Sequence, residues 1–167
     1  KEPPPALQIK LILALPRPKM MRRVLQTVAS LGVKELHLIN SYRVDKSYWG
    51  TPWLEPDALR EQLVLGLEQS ADTRMPLVYL HKRFKPFVED ELPALVNGTR
   101  ALVAHPYTDS PCPGGLSEPV SLAVGPEGGF IPYEVEKLQE CHFQPVSLGP
   151  RILRVETAIP VLITKLS

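Results

Sequence analysis

Short runs that are apolar at almost every position recur along this chain, each followed by an amphipathic stretch. Gln8–Leu15 (QIKLILAL), Glu35–Ile39 (ELHLI), Pro76–Leu80, Thr99–Ala104 (TRALVA), Val120–Val124 (VSLAV) and the short Gln144–Ser147 read as six strands. Several lack the polar alternation of a half-exposed strand, so both faces of their sheet must be covered. Between them, Lys19–Leu31 carries Met21, Val24, Leu25, Val28 and Leu31 at helical spacing, and Gly32 stands where a helix often ends in a left-handed residue. Asp57–Ser70, Phe87–Val96, Pro132–Cys141 and Glu156–Leu166 complete the helices. Strand–helix alternation of this kind predicts an α/β domain: a mostly parallel sheet of about six strands with helices on both faces.

Two long connections interrupt the alternation. Asn40–Pro56 is polar and aromatic, and its Tyr48, Trp49 and Trp53 either pin the loop to its own domain or stack on bases. His105–Glu118 contains Pro111-Cys112-Pro113-Gly114-Gly115. Lys1–Ala6 (KEPPPA) reads as a linker remnant, because consecutive prolines join neither a helix nor a sheet interior, leaving 7–167 as the folded unit.

Composition narrows the function classes. Net charge is only +1, yet Arg17, Lys19, Arg22 and Arg23 cluster, as do Lys82, Arg83 and Lys85. These read either as solvated faces or as an RNA-phosphate footprint. Cys112 and Cys141 are far apart and form no CxxC, which suits a reducing, cytoplasmic setting. Four histidines are scattered without ligand spacing, so no metal is expected. No apolar stretch is long enough to span a bilayer.

The sharpest local feature is Gly125-Pro126-Glu127-Gly128-Gly129-Phe130, lying between an apolar strand and a helix that starts with Pro132. It lacks the lysine of a P-loop and falls too late in the chain for a dinucleotide fingerprint. Bare backbone at a strand–helix turn nonetheless lets a ligand approach closely. A second such segment, Leu148-Gly149-Pro150-Arg151-Ile152-Leu153-Arg154-Val155-Glu156-Thr157-Ala158, follows some twenty residues on. The pair predicts one cofactor pocket at neighbouring strand ends.

GPEGGF followed by LGPRILRVETA closely resembles the paired C-terminal motifs of the RsmE family, the 16S ribosomal RNA uridine-N3 methyltransferases of the SPOUT superfamily. Leu31-Gly32-Val33-Lys34-Glu35-Leu36, Ser41-Tyr42-Arg43 and Glu68-Gln69-Ser70 are similar to further segments of that family, so the likeness runs from Leu7 to Ser167. Val155 stands where the family usually has a threonine, and Ala71-Asp72-Thr73-Arg74 replaces an expected Gly-Arg. The resemblance implies a C-terminal trefoil knot, a homodimer packed through the knots, and an N-terminal PUA-like RNA-binding domain that would precede KEPPPA.

It also implies S-adenosyl-L-methionine as cofactor, held by Leu122, Val124, Gly125, Pro126, Glu127, Gly128, Gly129, Ser147, Leu148, Gly149, Ile152 and Leu153. Arg154 is then the expected electrostatic partner of the uracil, and Glu156 the expected proton acceptor or orienter of Arg154. Arg17, Lys19, Arg22, Arg23 and Arg43 are the expected contacts to 16S rRNA in the small ribosomal subunit. The alternatives are another SPOUT activity, such as ribose 2'-O-methylation, or a non-catalytic RNA-binding module.

Overall fold

The computed structural model describes residues 5–106, 108–149 and 153–167. Six strands form a single sheet: β1 Ile9–Ala14, β2 Glu35–Ile39, β3 Leu77–His81, β4 Arg100–Ala104, β5 Val120–Val124 and β6 Gln144–Val146. Their order is β3-β2-β1-β5-β4-β6, and every pairing is parallel. β5 is buried at all five positions, and β1 at every position but Lys10. Successive side chains point to opposite faces, so the centre of the sheet is covered on both. β3 is an edge strand and differs: Leu77 is 59% exposed, and Tyr79 and Leu80 are also exposed.

Among the described residues five helical segments flank the sheet: α1 Pro18–Ser30, α2 Pro56–Ser70, a continuous helical run α3 over 84–96, α4 Pro132–Glu140 and α5 Val155–Leu166. Proline stands at the start of α1, α2 and α4, where its missing N–H has no intrahelical partner to lose. α3 begins three residues earlier than the apolar pattern indicates, and its middle turn, Phe87–Glu91, is widened. The long 40–56 connection contains two short turns of 3-10 helix, Lys46–Gly50 and Pro52–Leu54. Its aromatics pin it in place: Trp49 Nε1 donates to Asn40 Oδ1 at 3.1 Å, and the Arg22 guanidinium lies 5.2 Å from the Trp53 ring centre.

This topology decides where a ligand can sit. The chain leaves β1 towards β2 on one side of the sheet and leaves β5 towards β6 on the other. In open parallel sheets the crevice lies outside the carboxyl ends of strands whose connections diverge in this way. β1 and β5 are neighbours in register, Leu13 beside Val124, so their ends open at one level. The expected knot depends on the path of the segment 147–153, in which Pro150, Arg151 and Ile152 lie outside the described residues.

Candidate active site

Several hollows open around the carboxyl edge of the sheet; one of about 470 Å³ lies between Pro106, Thr108, Asp109, Pro111, Ser147–Gly149 and Lys165, and two others share a wall. The larger of these two, about 180 Å³, is bounded by Ala104–Pro106 after β4, Val124–Gly129 after β5, Val146–Gly149 after β6, and Leu153, Val155 and Ala158 around the start of α5. The two glycine-bearing segments therefore do meet in one cleft. Val124, Gly125, Pro126, Glu127, Gly128, Gly129, Ser147, Leu148, Gly149 and Leu153 all border it. Leu122 does not; it is fully buried inside β5, two residues short of the opening. Ile152 lies outside the described residues.

The glycines serve different ends. Gly128 and Gly129 have φ of +85° and +84°, a region that side chains with a Cβ rarely adopt. A Cβ on Gly129 would project into open space, leaving its backbone bare. Gly125 is different. A Cβ there would meet the Phe130 backbone nitrogen at 2.8 Å, so this glycine admits the buried Phe130 ring beneath the loop rather than a ligand. The loop closes on itself through Gly129 N–H donating to Pro126 O at 2.7 Å.

The opposite wall is tied to the 105–118 connection. His105 N–H donates to Val146 O, Ser147 N–H to Ser110 O and Cys112 N–H to Ser147 O, at 2.7–2.9 Å. Ala104, His105 and Pro106 enter the cleft by this route, as do Val146, Val155 and Ala158 from β6 and α5, and none was expected from the sequence. The signal was the rule that ligands gather at strand carboxyl ends, but applying it needed the position of β4 between β5 and β6. Burial pushes the Cys112 thiol up from its ordinary value, so it is a poor nucleophile.

The second hollow, about 70 Å³, lies at the divergence of β1 and β5. Arg17 and Arg43 border it with Met20 and Tyr48, as do two carboxylates, Glu127 and Glu156. Pro126, Glu127 and Val155 border both hollows and form a shared wall. Arg154 is exposed at the N-cap of α5 and borders neither hollow among the described residues. Arg17, Lys19, Arg22 and Arg23 are exposed around the start of α1, which has no acid in its first turn. Cations at the positive end of a helix are unfavourable by themselves, so this cluster suits an external anion. Among the described residues no three His, Cys, Asp or Glu side chains converge on a metal position, and no helix is long and apolar enough to cross a membrane.

The RNA methyltransferase domain family matches residues 2–167. The ribosomal RNA small subunit methyltransferase E of Mesomycoplasma hyopneumoniae is 31% identical over 166 residues, covering 96% of this chain and 70% of that protein. The chain belongs to the ribosomal RNA small subunit methyltransferase E family. The family member of Treponema pallidum is 27% identical over 154 residues, spanning 90% of this chain. The solved family structure from Neisseria gonorrhoeae, bound to S-adenosyl methionine, superposes with a TM-score of 0.77 at 26% identity and covers 98% of this chain. The chain spans 58% of the Treponema protein's length and 65% of the Neisseria chain.

Proposed function

We propose that this chain takes part in S-adenosyl-L-methionine-dependent methylation of N3 of a uridine in 16S rRNA of the small ribosomal subunit. One observation carries the reading: the two separate glycine-bearing segments line a single cleft, and that cleft shares a wall with a second hollow rimmed by arginines. The cleft fits the cofactor. Val124, Val146, Leu148, Leu153 and Ala158 supply apolar surface for a purine, while bare backbone at Gly129 allows close approach to the ribose and methionine portions. When bound, S-adenosyl-L-methionine supplies an electrophilic methyl group on its sulfonium.

The remaining chemistry falls to the protein. Uridine N3 carries a proton that must leave as its bond to carbon forms. Glu156 borders the second hollow and is our assignment for the group that accepts it. Arg154, next to Val155 of the shared wall, is our assignment for stabilising the anionic pyrimidine. A guanidinium keeps its charge throughout and can pair with the ring oxygens. Arg17, Lys19, Arg22 and Arg23, exposed around the start of α1, are our assignment for holding RNA phosphates.

The knot, the homodimer and a cytoplasmic site of action belong to the same proposal. Gly115 and Leu116 N–H groups donate to the carbonyls of Lys165 and Leu166, so the 105–118 connection is tied to the end of the last helix, and this contact supports the knot reading. Calorimetry with S-adenosyl-L-methionine, followed by nucleoside mass spectrometry of small subunits treated with the protein, tests the reading. The expected product is 3-methyluridine. A 2'-O-methylated nucleoside would move the assignment to ribose chemistry, and a folded protein that binds no cofactor would leave an RNA-binding module.

A further inference from the structure

The cofactor loop is braced from outside by a turn that the chemistry above does not use. Ser41, Tyr42 and Arg43 follow β2, and they reach the loop through Glu134 in the first turn of α4. Glu134 is 3% exposed. Its Oε1 accepts from the Ser41 hydroxyl and from Ile131 N–H, both at 3.0 Å, and its Oε2 accepts from Tyr42 N–H at 2.9 Å. A buried carboxylate is tolerated only when donors surround it. Here the donors come from two segments, so one side chain fixes both the helix start behind the glycine loop and the turn after β2.

Arg43 is the next residue of that turn. Its Nη1 donates to the carbonyls of Gly128 and of Gly129, the latter at 3.2 Å. The loop is thus held at its downstream end by Glu134 through Ile131, and at its crown by Arg43. Such bracing has a physical reason: paired glycines lose more backbone freedom on ordering than other residues. Arg43 also borders the second hollow, and a guanidinium has five N–H donors, so donors remain for a ligand there.

We propose that Glu134 and Arg43 are positioning residues of the glycine loop, and that Arg43 couples RNA in the second hollow to the shape of the first. This rests on the reading of the two hollows as cofactor and nucleotide sites. Arg43 therefore does more than meet a phosphate.

The test compares wild type with Arg43→Ala, Arg43→Lys, Glu134→Gln and Ser41→Ala. Three readouts are used: hydrogen exchange of the 125–131 peptide without cofactor, cofactor Kd by calorimetry, and KM for small subunits at several salt concentrations. Arg43→Ala is expected to speed exchange in the loop and to raise the cofactor Kd about tenfold or more, as for loss of charge-assisted hydrogen bonds. Arg43→Lys should restore RNA affinity but not the Kd, because an ammonium lacks the planar fork. Glu134→Gln should share the loop phenotype, since its NH2 would face one of the three donors. Ser41→Ala, which keeps the carboxylate, should show it more weakly and stands in if Glu134→Gln does not fold. The proposal is overturned if Arg43→Ala leaves exchange and Kd at wild-type values and only raises KM, with a salt slope shallower by about one charge. Should wild type bind no cofactor, the functional reading fails, while the exchange comparison still decides the brace.

Discussion

The two hollows are built from different materials. The larger is bounded mostly by backbone and small apolar groups: paired left-handed glycines, alanines, and the ends of three strands. The smaller is bounded by side chains with charges, two arginines and two carboxylates among them. A site made of backbone depends on the fold and on a few glycines, so departures elsewhere leave it intact. A site made of side chains can be retuned one residue at a time. The replacement at Val155, in the wall that both hollows share, leaves the glycines of both segments unchanged.

Substitutions put this contrast to the test. Gly129→Val should have the largest effect, because a branched side chain is strained at φ +84° and would fill the bare approach. Calorimetry should detect no cofactor binding; retained affinity would remove the loop from the donor site. Glu156→Gln should lower kcat about 100-fold, the scale of a lost general base, with cofactor Kd unchanged. Arg154→Ala should likewise cut turnover and spare the Kd, and a fully active variant would take Arg154 out of the mechanism. If either change weakened cofactor binding as much as turnover, the division between the hollows would be false.

Replacing Arg17, Lys19, Arg22 and Arg23 with alanine should raise KM for small subunits about tenfold at low salt and flatten its salt dependence, with kcat retained. The smallest effect tests a place remote from both hollows. Lys34 Nζ lies 2.6 Å from Asp72 Oδ2. Burial opposes the charge on Asp72, but hydrogen bonds from Lys34 and from the Arg74 and Thr73 backbone outweigh it and hold the carboxyl below its usual range. A depressed folded pKa means that the pair stabilises at neutral pH and that this contribution is lost as pH falls through the folded value, below about pH 4. Asp72→Asn should cost about 1 kcal/mol at pH 7 in denaturant titrations and nothing in strong acid, with both ligand affinities unchanged.

The sheet was legible because its strands are apolar on both faces, and the helix starts because proline marks three of them. The glycine segments were legible for the reason just given: backbone sites leave a trace as glycine spacing. What depended on strand order was not. Ala104–Pro106 become cleft residues only because β4 lies between β5 and β6. Leu122 shares its face of β5 with Val124, yet it lies two residues deeper and stays in the core. Gly125 reads like Gly128 until Phe130 is seen beneath it. Glu134 reads as an ordinary acid at a helix start, and only its contact with a turn more than 90 residues away reveals the brace.

A partition made of Pro126, Glu127 and Val155 separates the two hollows. On the proposed reading, a compound anchored on the adenosine side could be extended past one valine and one proline to reach the nucleobase side. The extension would meet Arg17, Arg43 and Glu156, so selectivity would come from the linker's far end rather than from its anchor.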